Sequence, residues 1–324
     1  MARGLYDSSR DSREEILGEG GLKVPVAATE IANPRSAGID GKSAVEICRL
    51  MHDADFEAWQ ALEPALVDVA RVVDLVAEAF RSGGRLIYLG AGSSGRLGVI
   101  DASECPPTFG VEPSLVQAFI AGGDEALRRS VEGAEDSAEE GARQVESSDA
   151  DSRDVVCGIA ASGTTPYVRG ALAAARQRGA RTVLVTSNPA WSARDGGAGV
   201  EVAIVLAVGP EILAGSSRLK AGTATKMALN MITTGAMIRW GKVYDNLMVD
   251  LTPVNRKLRA RAARLVSQIA EVEAEHAWTL LEEGDWNVKV AAVMARRGVS
   301  AARAEELLGE AQGILRDALG SDEG

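Results

Sequence analysis

Between residues 85 and 208 the apolar positions fall in short continuous runs rather than in alternation. RLIYLG (85–90), LVQAFIAG (115–122), DVVCGIAAS (154–162), RTVLVTSN (181–188) and VEVAIVLAV (200–208) each read as a buried strand. Stretches with helical spacing separate them at 124–145 and 166–179, and another follows at 216–240. Strands that are apolar on both faces and alternate with helices predict a parallel sheet covered on both sides. The expected fold class is therefore α/β, a doubly wound parallel-sheet, three-layer layout whose ligand sites lie at the carboxyl ends of the strands.

The flanks differ. Residues 43–81 are helical, with Ser43 as an N-cap before AVEICRLMHDAD. Residues 24–42 read as extended and turn-rich, and residues 1–23 as a loose, charged arm. From residue 256 the strands stop. RKLRARAARLVSQIAEVEAEHAWTLLEEG, VKVAAVMARRG and VSAARAEELLGEAQGILRDALG are all helical, the last with Ser300 as N-cap. The expected organisation is an arm at 1–42, an α/β domain at 43–255 and a small C-terminal helical bundle at 256–324.

Composition narrows the function. The profile, 46% hydrophobic and 25% charged, is that of a globular protein with a sizeable core. A net charge of −11 argues against a nucleic-acid surface, which needs clustered Lys and Arg. It leaves room for a small anionic ligand, because a local pocket can oppose the global charge. Cys48, Cys105 and Cys157 follow neither a disulfide nor a zinc spacing, which fits a reducing cytoplasm. The first 20 residues contain no apolar signal segment, and the run 200–208 is too short to span a membrane. His52 and His276 are the only histidines, so chemistry built on several histidines is not expected. No metal and no cofactor is implied.

Three strand ends carry hydroxyl-rich turns. GAGSSGRLG (90–98) follows the first strand. Its glycines permit close backbone approach, Ser93 and Ser94 offer hydroxyls, and a helix beginning there would turn free N–H groups toward an anion. With Gly95 and Arg96 it makes 86–104 a candidate phosphate-holding segment. It lacks the acidic residue of a dinucleotide site after the next strand and the lysine of a P-loop. Alone, such a turn is equally compatible with plain turn chemistry. ASGTTPYV (161–168) repeats the pattern with Ser162, Thr164 and Thr165, and GSSRLKAGTATK (215–226) with Ser216, Ser217 and Lys220. Together they point to a polyhydroxylated or phosphorylated ligand. Asp101 and Glu104 lie just beyond the first turn, and Glu132, Glu135 and Asp136 in EGAED. Carboxylates beside a sugar can remove a proton α to a carbonyl or protonate a leaving oxygen. Cys-Pro-Pro after Glu104 predicts a rigid, poorly helical segment that fixes its position.

Several long motifs occur in one order: TEIANPRSAGID (29–40), GRLIYLGAGSSGRLGVIDASECPPTFGV, EGAED, GIAASGTTPYV, GSSRLKAGTATKMALNMITTGAM and GKVYDNLMVDLTPVN (241–255). In these the chain closely resembles the N-acetylmuramic acid 6-phosphate etherases, over about residues 29–320. The resemblance implies a sugar isomerase (SIS) type domain, a homodimer whose partner completes the site, and cleavage of a D-lactyl ether in cell-wall amino-sugar recycling. It places the family's two catalytic glutamates on Glu104 and Glu135. Glu104 is then the acid that protonates the departing ether oxygen and later activates water, and Glu135 the C2 base. Three positions depart from the family pattern: Ser93 for a usual Thr, Thr164 for a usual Arg, and Thr225 for a usual Gln. The competing readings are a non-catalytic sugar-phosphate regulator and an aldose–ketose phosphate isomerase.

Overall fold

The computed structural model describes residues 15–17, 23–25, 28–191, 199–251, 253 and 255–320. Most of the expected loose arm at 1–23 lies outside them. Strands β1 (Glu15–Leu17) and β2 (Lys23–Pro25) pair antiparallel, and residues 28–41 form three short 3-10 turns. The helical stretch at 43–81 divides into α1 (Ala44–Gln60) and α2 (Leu66–Arg81) around Pro64. Ser43 caps α1 as expected, its backbone N–H donating to Glu46 Oε2 at 2.9 Å.

All five expected strands form: β3 (Leu86–Gly90), β4 (Val116–Ile120), β5 (Val155–Ile159), β6 (Arg181–Thr186) and β7 (Val202–Val205). They make one parallel sheet in the order β4-β3-β5-β6-β7. Alternate residues point to opposite faces. Tyr88, Cys157, Val183 and Ile204 join one core with α2, α3 (Gly92–Phe109) and α6 (Lys220–Arg239). Ile87, Leu89, Val156 and Leu184 join another with α4 (Ala138–Ser147) and α5 (Pro166–Gln177). The result is the expected three-layer sandwich. In α2, Val69, Val72, Val76, Ala79 and Phe80 repeat at helical spacing and are all buried. Each fully buried large side chain contributes about 1.5–3 kcal/mol.

Two elements differ from expectation. Residues 124–145 are not one helix: short 3-10 turns at Gly123–Leu127 and Ala134–Asp136 precede α4. Gly122, Gly123 and Gly133 all sit at positive φ, which interrupts a helix. The segment after Glu104 is helical, not extended. α3 runs through Pro106 and Pro107 to Phe109 and ends at Gly110 in the left-handed region. Burial of Cys105 and Phe109 in the core overrides the local bias of the prolines.

Beyond the sheet lie a two-residue pair, β8 (Val243–Tyr244) and β9 (Leu247–Met248), and five helices: α7 (Arg256–Ala270), α8 (Ala274–Glu283), α9 (Val288–Arg297), α10 (Ala301–Glu310) and α11 (Leu315–Leu319). Ser300 accepts from Arg303 N–H at 3.4 Å, as its N-cap role requires. These elements share a hydrophobic cluster of their own, which includes Val266, Leu281, Val293 and Leu315. A buried lysine ties them together. Lys289 Nζ donates to Asp250 Oδ2 at 2.6 Å and to the carbonyls of Gly241 and Gly313, both at 2.8 Å. Burial lowers its pKa, and Asp250 opposes that shift. Replacing Lys289 by Met leaves a carboxylate short of a partner and two carbonyls without donors. Breaking such a pair costs about 3–5 kcal/mol. Urea unfolding followed by tryptophan fluorescence is expected to show a loss near the lower end of that range, because Lys242 still faces Asp250 at 3.3 Å. An unchanged midpoint would contradict the strut role.

Candidate functional site

The strand order determines where a ligand can sit. The chain passes from β3 outward to β4, then returns to add β5 on the opposite side of β3. Helix α3 leaves β3 toward one face of the sheet and α5 leaves β5 toward the other. The carboxyl ends of β3 and β5 therefore flank the crevice where doubly wound folds bind ligands.

Ala91 is the N-cap of α3 and has no side-chain capping bond. The N–H groups of Gly92, Ser93 and Ser94 are those a helix start leaves without internal partners. Among the described residues the hydroxyls of Ser93 and Ser94, both half-buried, also lack partners. Gly95 lets this turn sit directly on the sheet: a Cβ there would lie 2.7 Å from Gly90 O and 2.6 Å from Ile120 Cγ1. Arg96 turns the other way. Its guanidinium donates to the carbonyls of Ala126 (2.6 Å), Leu127 (3.1 Å) and Arg129 (3.2 Å), and so anchors the stretch leading to EGAED.

The loop after β5 is braced from β6. Thr186 Oγ1 donates to Ala161 O at 3.1 Å and Asn188 Nδ2 to Ser162 O at 2.9 Å. Gly163 has φ +73°, and a Cβ there would meet the Trp191 ring at 2.4 Å. Ser162 Oγ accepts from Thr164 N–H (3.2 Å) and Thr164 Oγ1 (3.0 Å). Thr165 caps α5 without a side-chain capping bond. This loop and the α3 turn end adjacent strands, so the fold brings Ser93, Ser94, Gly95, Ser162, Thr164 and Thr165 to one edge.

The third loop is built differently. Glu211, fully buried, accepts from the N–H groups of Lys220 and Ala221, each at 2.9 Å. The start of α6 thus already holds a carboxylate. Burial raises the Glu211 pKa, and the two N–H donors and Lys220 oppose the rise. Lys220 Nζ is engaged by Glu57 Oε2 at 2.7 Å and Pro210 O at 3.1 Å, and Arg35 pairs with the same Glu57. The TEIANPRS turns dock here, with Asn33 Nδ2 bonded to Pro210 O at 3.2 Å and Gly215 N–H to Thr29 O at 2.8 Å. Ser216 and Ser217 keep half-buried hydroxyls without partners among the described residues. Glu57 and Glu211 carry no local sequence signal, because their partners are remote in the chain.

Glu104 lies in the last two turns of α3 and Glu135 in the 3-10 turn before α4, both exposed in the single chain. One turn before Glu104, Asp101 points inward. It accepts from Tyr88 OH and Thr233 Oγ1, both at 3.1 Å. Burial raises its pKa to about 6, although both hydroxyl donors and Lys226 favour the charged form. Among the described residues, no group of three or more His, Cys, Asp or Glu could hold a metal ion.

A raised Asp101 pKa has a definite sign in stability. The folded state binds a proton that the unfolded state has released, from pH ~4 to pH ~6. The resulting stability is present below that window and lost as pH rises through it. A two-unit shift corresponds to roughly 2–3 kcal/mol. Urea unfolding of wild type and Asp101→Asn at pH 4.5 and pH 7 is expected to show the variant gaining on wild type as pH rises. A pH-independent difference would contradict the buried titration.

The model of the glucokinase regulatory protein N-terminal SIS domain matches residues 68–176. Proteins named N-acetylmuramic acid 6-phosphate etherase from Salmonella agona (strain SL483) and Salmonella typhi are each 50% identical over 299 residues, 92% of this chain and 99% of theirs. Among solved structures, a phosphoheptose isomerase from Francisella tularensis superposes at a TM-score of 0.41 with 12% identity, over 61% of this chain and 98% of that one. The chain belongs to the N-acetylmuramic acid 6-phosphate etherase family.

Proposed function

We propose that this protein is a carbon–oxygen lyase that cleaves the D-lactyl ether of N-acetylmuramic acid 6-phosphate, giving N-acetylglucosamine 6-phosphate and D-lactate. The observation that carries this reading is the match to etherases along nearly the whole chain. The family model of a regulatory protein spans residues 68–176 only, so a non-catalytic regulator is the weaker reading. The reaction belongs to cytoplasmic recycling of cell-wall amino sugars. The chain divides near residue 240, earlier than the boundary at 255 expected from the sequence, a reading supported by the separate hydrophobic cluster that takes in Val249 and Leu251 together with the C-terminal helices.

The uncapped start of α3, with Ser93 and Ser94, and the Ser162–Thr165 loop hold the phosphate, a reading supported by two hydroxyl-bearing turns that follow adjacent parallel strands. Ser216 and Ser217 contact the sugar. Arg96 and Lys220 support from behind, since their cationic groups are taken up by carbonyls and by Glu57. In the open-chain sugar the C2 proton is acidic because it lies α to the C1 aldehyde. Glu135 removes it, the C2–C3 double bond forms, and the C3–O bond to lactate breaks as Glu104 protonates the departing oxygen. Glu104, now a carboxylate, activates the water that adds to C3, and C2 regains a proton. General acid–base groups of this kind contribute about 10²–10⁴-fold each. The Glu104→Gln and Glu135→Gln variants are therefore expected to lose at least about 100-fold in D-lactate release. Near-normal turnover of either variant removes that residue from the mechanism.

A homodimer completes the site. Phe56 and Trp59 stack with ring centroids 5.5 Å apart, yet both are 56% exposed. Val67, Ile100, Met231 and Ile238 are also exposed on helices of the same layer. Apolar area of this kind marks an interface, and Glu104 and Glu135 themselves stand open to a neighbour. Sedimentation velocity is expected to give twice the mass of one chain, and Phe56→Asp with Trp59→Asp to give an inactive monomer. A fully active wild-type monomer would overturn the shared site.

A further inference from the structure

Asp101 takes no part in the steps above, yet its carboxylate is turned into the interior behind them. It bridges three elements: its own helix α3, Tyr88 of β3 and Thr233 of α6. Tyr88 is fully buried and stands two residues before the end of β3, where the phosphate turn begins. Gly98 brings α3 down onto that tyrosine, for a Cβ at Gly98 would lie 3.1 Å from Tyr88 Cβ.

The helix needs such a tether at this point. Pro106 and Pro107 have no N–H, so the carbonyls of Ala102 and Ser103 receive no helical bond from them. Those carbonyls belong to the two residues immediately before Glu104. The turn that carries the glutamate is therefore held less by its own ladder than by what α3 packs against. Rotation of a helix by about 10° moves a side-chain tip at a radius of ~5–6 Å by about 1 Å. A misplacement of that size costs on the order of 100-fold in rate.

We propose that Asp101 is the positioning residue for Glu104: by accepting from Tyr88 and Thr233 it fixes the rotation of α3 and so the direction in which Glu104 meets the ether oxygen. The proposal rests on the assignment of Glu104 as the acid. Nothing in it requires Asp101 to touch the substrate.

The test uses the full-length protein and D-lactate release from N-acetylmuramic acid 6-phosphate at pH 7.5. Asp101→Asn keeps the shape and one acceptor oxygen but places an amide N–H₂ against a hydroxyl donor. It is expected to lower kcat by 10- to 100-fold with KM within twofold of wild type and an unchanged dimer mass. The double variant Tyr88→Phe/Thr233→Val keeps the carboxylate and removes both donors, and is expected to lower kcat in the same way. It also serves where Asp101→Asn fails to fold. Combined with Glu104→Asp, which shortens the acid by one methylene, Asp101→Asn is expected to cost much less than its separate factor, since both misplace one carboxyl. The proposal is overturned by a kcat within twofold of wild type in the folded variants, by a loss confined to KM, or by full multiplication of the two factors. Near-normal turnover of Glu104→Gln instead removes the reading of Glu104 itself, a separable result.

Discussion

Everything at the carboxyl edge of the sheet depends on how closely the first turn of α3 lies against β3 and β4. With Gly95 in that turn, only glycine fits between Gly90 O and the Ile120 side chain. The closeness points the first N–H groups of α3 over the end of the central strand, beside the loop that follows β5. A methyl group at Gly95 would push the helix start outward and open the crevice. The same packing runs on through Gly98 and Tyr88 to Asp101, so the glycine–serine turn and the rotation of the helix beyond it are set by one continuous contact.

Three helices begin at strand ends or loops rich in hydroxyls, but they are not equivalent. α3 and α5 start without side-chain caps, whereas α6 starts on the buried carboxylate of Glu211. A helix N-terminus that already holds an anion is a poor place for a phosphate. This internal carboxylate separates the two loops proposed to face the ligand from a third that organises α1, α6 and the 28–36 turns. The ion pairs of Glu57 with Lys220 and Arg35 belong to that second task.

The sheet was legible in the sequence because each strand is a short apolar run bounded by Gly, Asn or Asp, and parallel burial leaves no other reading. The glycine–serine turn was legible for the same local reason. What was not legible depends on partners far along the chain. Glu211 and Glu57 look like surface acids until residues nine and 163 positions away from them are brought into contact. Lys220 read as a ligand residue because its neighbours carry hydroxyls, yet its amino group is taken up inside the fold. The Cys-Pro-Pro segment read as non-helical from local bias, and the buried Cys105 and Phe109 overrode it. Asp101 stood in the motif but showed its inward direction only with Tyr88 and Thr233 in place.

The proposed reaction, with Glu104 as acid and Glu135 as base, is an elimination followed by water addition. It is tested most directly by incubating the wild-type protein with N-acetylmuramic acid 6-phosphate in D₂O and examining both products by NMR. The account predicts D-lactate together with N-acetylglucosamine 6-phosphate bearing deuterium at C2, because that proton leaves and is replaced from solvent. Absence of lactate, or lactate formed with the C2 hydrogen fully retained, would contradict it.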